Sequence, residues 1–161
     1  MIRIYTFTYA GDAQEAVACV RCARTALPEA VVTVVDDSAA PVPPEARRAL
    51  VAYGARYRRS SFPRCGNLRG PECVRGIIAT LAKGAEDGDT VVKIDSDTAL
   101  LSGGWVRDMQ HNGLALHASG YQVPRNPSER SAYGNCYALS GRAARMAAEA
   151  LECAAIPPLA P

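Results

Sequence analysis

Residues 30–37, AVVTVVDD, form an apolar run with a single threonine that ends abruptly on two carboxylates. A strand that faces solvent on one side alternates apolar and polar residues, and this run does not. It therefore predicts a strand that is buried on both faces, as in a parallel sheet. Such a strand needs helices on each face of its sheet, which points to a layered α/β fold.

Strand and helix patterns alternate around this run. Strands are predicted over 2–9, 30–37, 55–60, 90–95, 113–123 and 131–140, and helices over 11–27, 44–53, within 70–89 and over 141–153. Asp12 is expected to cap the first helix, with Glu15 three residues further on. The alternation predicts an α/β fold with a mostly parallel, doubly wound, Rossmann-like sheet flanked by helices, as a single domain over residues 1–161.

Composition excludes several classes of protein. Hydrophobic residues make up 48% of the 161 residues and charged residues 21%, which excludes a disordered chain. The net charge of +2 is too small to indicate nucleic acid as a partner. No stretch is apolar enough to span a membrane and no signal peptide is evident, so a cytoplasmic location is expected. The six cysteines are expected to be mostly free thiols, and Cys19-x-x-Cys22 to be small core residues.

The segment TVVKIDSDTALLSGGW (90–105) carries the clearest chemical signal, because a buried strand ends on Asp95 and Asp97. Residues two apart on a strand point to the same side, and two carboxylates so close repel each other unless a cation lies between them. Hard oxygen ligands suit Mg²⁺ or Mn²⁺, which often also bind substrate phosphates. The alternative, two solvated loop acids, is less specific, so we favour a metal site at Asp95 and Asp97.

A rival chemistry uses a similar string. Phosphatases of the haloacid dehalogenase class place an Asp-x-Asp pair after their first strand, where the first Asp attacks phosphorus. Their motif continues with Thr or Val where this chain has Ala99, and they need a later Lys and further acids. After Asp108 this chain has no Asp and no Lys, which counts against that class without removing it.

The order of the motifs resembles that of nucleotide-sugar glycosyltransferases with the GT-A fold. The resemblance rests on five stretches: IYTFTY, VVTVVDDS, GPECVRGI, VVKIDSDTAL and YGNCYALSGRAA. The third is similar to the Gly-Pro-x-x-x-Arg helix start of the large inverting family, with Gly76 where that family usually has Asn. The last two are similar to segments of the galactosyltransferase and fringe-like enzymes. The resemblance covers most of residues 1–145.

The resemblance implies a donor-binding site at the ends of the strands. Thr8 and Tyr9 would contact the nucleotide, Asp36 or Asp37 would meet its base or ribose, and Arg75 would lie near its diphosphate. The partners would be a nucleotide-diphospho-sugar, with UDP favoured by family frequency, and a saccharide or other hydroxyl acceptor.

The implied activity is metal-dependent transfer of the sugar to that hydroxyl. Asp97 would bind the Mn²⁺ or Mg²⁺ directly, and Asp95 directly or through water. An inverting enzyme also needs a general base, and the chain ends where the related families carry an acidic segment. Three alternatives follow: a truncated chain, Glu149 or Glu152 as a substitute base, or a domain that binds donor without transfer. A retaining mechanism would need no such base.

Overall fold

A computed structural model describes residues 1–62, 70–123 and 126–154, without the side chains of 120–133. Its strands are β1 (Ile2–Thr8), β2 (Val31–Asp36), β3 (Arg56–Arg59), β4 (Thr90–Asp95), β5 (Leu116–Val123) and β6 (Asn126–Ser140). Its helices are α1 (Ala13–Ala26), α2 (Pro44–Ala52), α3 (Gly70–Ala82), α4 (Gly104–His111) and α5 (Gly141–Cys153). These elements confirm the predicted α/β class.

The six strands form one sheet in the order β3-β2-β1-β4-β6-β5. The first four strands along the chain run parallel, whereas β6 is antiparallel to both β4 and β5. From β1 the chain adds β2 and β3 on one side and then crosses to add β4 on the other. The doubly wound, mostly parallel sheet is therefore confirmed, and its strand order reverses between β1 and β4.

The sheet has a hydrophobic core on each face. Helices α1, α2 and α4 cover one face, where Ile4 and Ile94 are fully buried. Helices α3 and α5 cover the other face, where Phe7 and Val91 are fully buried. Within residues 1–62, 70–123 and 126–154, no helix has the length and hydrophobicity that crossing a lipid bilayer requires.

The predicted cap of the first helix is wrong. Asp12 occupies the N-cap position of α1, after a short 3₁₀ helix (Ala10–Asp12), but its side chain makes no capping hydrogen bond. Its Oδ2 instead accepts a 2.7 Å hydrogen bond from the hydroxyl of Ser96. Ser96 is only 2% exposed, and a buried hydroxyl needs a partner. Asp12 therefore ties the start of α1 to the loop that follows β4.

Candidate functional site

The ends of β1, β2 and β4 lie side by side at the carboxyl edge of the sheet. Thr8 pairs in register with Asp36 on β2, and its neighbour Phe7 pairs with Asp95 on β4. In open α/β sheets ligands bind at this edge, where the strand order reverses. Three groups of polar residues predicted from the sequence therefore meet at this edge, and the third lies next to the reversal of strand order. The groups are Thr8 and Tyr9, Asp36 and Asp37, and Asp95 and Asp97.

Asp95 is held by a lysine beneath it. The Lys93 ammonium lies 2.6 Å from Asp95 Oδ1 and also donates to the carbonyl of Gly134. Lys93 is only 5% exposed, and a buried ammonium requires such partners. Lys93 thus belongs to a polar layer under the site. Asp95 is oriented by this pair, and 24% of its side chain remains exposed.

Asp97 differs from Asp95 because it is exposed. The Thr98 hydroxyl lies 3.4 Å from its Oδ1, and no other side chain in the described part of the chain binds this carboxylate. The described residues contain no group of three or more His, Cys, Asp and Glu side chains suited to a metal ion. A pair of carboxylates nevertheless fits Mg²⁺ and ions like it, which often take one or two from the protein and the rest from water and phosphate oxygens.

Asp36 and Asp37 shape the loop after β2. Asp36 is fully buried, and its two oxygens lie 3.1 and 3.0 Å from the Val42 amide, while the Tyr57 hydroxyl donates to Oδ2. Burial, and then this hydrogen bond, raise the pKa of Tyr57. Asp37 is also fully buried, and its Oδ1 accepts from the Ala39 amide at 3.0 Å. Contact of either acid with a base or ribose stays a prediction.

Tyr9 presents an aromatic ring just beyond β1. The ring lies over Gly11, where an added Cβ would approach Tyr9 Cε2 to 2.6 Å. Tyr9 is half-buried, whereas Thr8 is fully buried. The Tyr9 ring packs on a glycine at this edge and has a face suited to stacking on a nucleotide base. Contact between Tyr9 and the nucleotide stays a prediction.

Arg75 is engaged by the other end of the chain. Its Nε donates to the Leu151 carbonyl at 3.1 Å and its Nη2 to the Ala154 carbonyl at 2.5 Å. These contacts bring the C-terminal end of α5 beside α3. The next residue, Gly76, is packed so tightly that an added Cβ would lie 2.2 Å from the Phe62 ring. That contact is the physical reason why the asparagine usual in the resembling family does not fit here.

A groove of about 560 Å³ runs beside Asp95, between α3 and the strands β4 and β6. It is lined by Val74, Ile77, Ile78, Lys93, Asp95, Gly134, Asn135 and Tyr137. Its α3 wall is apolar and its sheet wall is polar. Burial, and then the charge of Asp95, raise the pKa of Tyr137 to about 12, so its phenol stays protonated.

Sequence reasoning missed the apolar wall of this groove. Val74, Ile77 and Ile78 follow the helical spacing of i, i+3 and i+4, which is the signature of a core face. The spacing cannot show that part of this face is left uncovered beside Asp95. Val74 is 49% exposed, although the rest of the stripe is half-buried.

The side chains of Cys19 and His117 are packed against their neighbours. Cys19 is buried, as predicted, and its thiol contacts Thr6 Oγ1 and the Asp95 carbonyl at 3.7 and 3.6 Å. Burial raises the pKa of Cys19 to about 11, so the thiol is inert at neutral pH. His117 is half-buried on β5 and packs against Trp105, with ring centroids 5.1 Å apart.

Comparison with solved structures identifies the architecture. The galactosyltransferase LgtC in complex with donor and acceptor sugar analogs is similar over 89% of this chain, with a TM-score of 0.62 and 16% identity. The mannosyltransferase PcManGT from Pyrobaculum calidifontis, in complex with GDP-Man and Mn²⁺, is similar over 86%, with a TM-score of 0.53 and 13% identity. The chain has the GT-A fold. This finding confirms the fold that the resemblance implies.

The GT-A similarity extends to a third enzyme. Glucosyl-3-phosphoglycerate synthase from Mycobacterium tuberculosis, in complex with UDP, is similar over 88% of this chain, with a TM-score of 0.51 and 16% identity. The chain spans only 59%, 44% and 57% of the LgtC, PcManGT and synthase chains. No family model and no curated protein sequence matches this chain. At these identities the solved structures establish the fold of the chain.

Proposed function

We propose that this chain binds a nucleotide-diphospho-sugar at the carboxyl edge of its GT-A sheet and transfers the sugar to a hydroxyl acceptor with the help of Mn²⁺ or Mg²⁺. The observation that carries the proposal is the position of Asp95 and Asp97. Asp95 ends β4 and Asp97 lies in the turn that follows, beside the reversal of strand order, where open α/β sheets bind their ligands. An exposed and a partly exposed carboxylate at that point suit a divalent ion and a diphosphate.

Asp97 would hold the metal directly, because its carboxylate is exposed. Asp95 would hold it with Oδ2 or through water, because Oδ1 receives the Lys93 ammonium. When bound, the ion supplies positive charge that stabilises the departing nucleoside diphosphate. Lys93 fixes the orientation of Asp95 and adds a positive charge beneath the site.

The remaining groups would recognise the donor and the acceptor. Tyr9 offers a ring face for the base, and Thr8 and Asp37 support the adjoining loops. A UDP-sugar is the favoured donor. The groove beside Asp95 would receive the acceptor, with a polar wall for the reacting hydroxyl and an apolar wall for the rest of the molecule. Arg75 would reach a diphosphate only after releasing the end of α5.

Whether the chain has a general base separates sugar transfer from a second candidate function, donor binding without transfer. Glu149 and Glu152 are exposed on α5, whose C-terminal end packs beside α3 through Arg75, so either is a candidate base. The alternative is a domain that binds donor without transferring the sugar. It is supported by the lining of the groove beside Asp95, which includes neither of these glutamates. For both functions we propose a cytoplasmic location.

The test is thermal unfolding with UDP, GDP, CDP and ADP, each with and without Mn²⁺. A ligand at about 100 times its dissociation constant adds roughly 2.7 kcal/mol to the free energy of unfolding. We expect one nucleotide to raise the melting temperature only when Mn²⁺ is present, and Asp97→Ala to remove that shift.

Asp108→Ala is the matched control, because Asp108 is an exposed acid on α4 outside the site. It should leave the Mn²⁺-dependent shift intact. An equal shift in Asp97→Ala and in the unaltered chain would refute the metal site. Binding without release of sugar from the donor, with or without an acceptor, would identify the domain as one that binds without transfer.

A further inference from the structure

The groove beside Asp95 has two unlike walls around a volume of about 560 Å³. That volume lies in the range of sites that bind small molecules. On the helix side, Val74, Ile77 and Ile78 occupy the i, i+3 and i+4 positions of α3 and so lie on one face of the helix. Val74 is 49% exposed, so the rest of the described chain covers this apolar surface only in part. The α3 wall can therefore accept the hydrocarbon part of a ligand.

The sheet wall offers hydrogen-bonding groups on one side of two paired strands. Lys93 on β4 pairs with Tyr137 on β6, and residues directly opposite each other in an antiparallel pair point to the same side. Asp95 and Asn135 lie two residues further along this pair of strands, so their side chains belong to the same side. The Asn135 amide both donates and accepts hydrogen bonds, and the Tyr137 phenol stays protonated because burial raises its pKa to about 12. Both groups suit the hydroxyls of a sugar.

The charges in the lining of the groove are paired with each other. Among the described residues that line it, the charged ones are Lys93 and Asp95, which form an ion pair at 2.6 Å. Arg75 follows Val74 on α3 but does not line the groove, and its guanidinium donates to carbonyl groups at the end of α5. A phosphate or carboxylate on the ligand would lose hydration there without meeting a free cation, and burying an unpaired charge is costly. The lining therefore favours a neutral ligand.

We propose that the acceptor bound in this groove is a neutral amphiphile, a sugar or other polyol that carries an alkyl or aryl group. Its hydroxyls would lie on the sheet wall, one of them beside Asp95, and its hydrocarbon part would lie along Val74, Ile77 and Ile78. A plain saccharide would leave the apolar wall unused, and a phosphorylated acceptor would bring a charge that the lining does not balance. The inference rests on the proposed sugar transfer only in naming this ligand an acceptor, since its binding is tested without donor.

The test is an NMR titration with methyl, butyl and octyl glucoside, without nucleotide or metal and below the concentrations at which these compounds form micelles. Each methylene that becomes buried raises affinity by up to about fourfold, so we expect octyl glucoside to bind at least about tenfold more tightly than methyl glucoside. The amide signals of Val74, Ile77 and Ile78 should shift on binding. Affinity that does not depend on chain length would overturn the proposal, as would the absence of octyl glucoside binding.

Val74→Thr separates the apolar wall from the rest of the groove. Threonine has nearly the shape and the helix propensity of valine, so the fold should remain intact. The change replaces one methyl group by a hydroxyl, so the affinity for octyl glucoside should fall by about fourfold while that for methyl glucoside stays the same. Val51→Thr is the matched control, because Val51 is 51% exposed on α2, which covers the other face of the sheet. No loss in Val74→Thr, or an equal or greater loss in Val51→Thr, would overturn the proposal.

Tyr137→Phe tests the sheet wall. It removes a hydroxyl that would donate to the ligand, so the affinities for butyl and octyl glucoside should fall by the same factor, about two- to tenfold. A loss confined to the longer chain would place the hydrocarbon on the sheet wall and overturn the assignment of the two walls.

Glycerol phosphate tests the neutral class of the ligand. It should not displace octyl glucoside, and displacement would overturn that class. The nucleotide titration with Mn²⁺ gives a separate answer. A chain that binds octyl glucoside but no nucleotide would refute the proposed sugar transfer and retain the amphiphile site, whereas a chain that binds nucleotide but no octyl glucoside would overturn this inference alone.

Discussion

Lys93→Met tests the polar layer beneath the candidate metal site. The change keeps the length of the side chain but removes the ammonium that lies 2.6 Å from Asp95 Oδ1 and donates to the Gly134 carbonyl. Removing one partner of a buried pair typically costs about 3–5 kcal/mol. Asp95 retains 24% of its side-chain exposure, so water recovers part of that loss. We therefore expect the free energy of unfolding to fall by about 2–3 kcal/mol.

The measurement is urea unfolding followed by circular dichroism, with the midpoint and slope fitted separately. For a chain of this size, a loss of about 2–3 kcal/mol lowers the melting temperature by roughly 5–10 °C. The slope should stay constant, because the change alters an interaction and not the surface exposed on unfolding. Lys83→Met is the control: Lys83 is exposed and makes no ion pair with a described residue, so a change within about 0.5 kcal/mol is expected.

A double-mutant cycle with Asp95→Asn isolates the pair. The losses of unfolding free energy in the two single variants should not sum to the loss in the double variant. The coupling free energy between Lys93 and Asp95 should be about 1–2 kcal/mol. A coupling near zero would show that the two side chains do not interact in solution and would refute the orientation of Asp95 by Lys93. A loss in Lys93→Met no larger than in the Lys83→Met control would do the same.

Two further predictions concern the join between α5 and the turn before β4. Gly141→Ala should destabilise the fold by about 3 kcal/mol in the same assay, because an added Cβ would lie 1.8 Å from the Glu86 carbonyl oxygen. Gly88→Ala, whose Cβ would contact nothing within 4 Å, should change stability little, and equal effects would refute the packing. The pKa of Asp89 is lowered: burial opposes ionisation, but hydrogen bonds from the Glu86 amide and Arg3 outweigh it. Because its pKa is lower in the folded state, ionised Asp89 contributes its whole stabilisation above about pH 4, and this contribution is lost as the pH falls further. Asp89→Asn should therefore flatten the acid limb of a plot of the free energy of unfolding against pH.

The strands and helices followed from local patterns. The apolar runs at 31–36 and 90–95 form the buried strands β2 and β4, because a strand covered by helices on both faces of the sheet is apolar along its whole length. The Asp-x-Asp pair was visible for the same reason, since acids at the end of an apolar strand stand out. The predicted cap at Asp12 was wrong because Ser96, a partner 84 residues away, binds its carboxylate instead. Such a partner leaves no trace in local sequence.

The roles that the motifs implied for single residues depend on tertiary contacts. Arg75 lies in the expected helix, but the carbonyls at the end of α5 take its guanidinium. Asp36 ends the expected strand, but the Val42 amide and the Tyr57 hydroxyl bind its oxygens. In both cases the sequence places the backbone, and residues remote in the chain decide which atoms of the side chain remain available for a ligand.

The sequence by itself determined the α/β class, the parallel sheet and the edge at which the carboxylates lie. Periodicity and strand ends are local properties, and the rules that connect parallel strands leave few topologies. Only the tertiary structure decided that Lys93 supports Asp95, that Val74 borders an open groove, and that Arg58 Nε is buried without a hydrogen-bond partner. These features depend on which groups from distant segments meet, and on which partners they lack when they do.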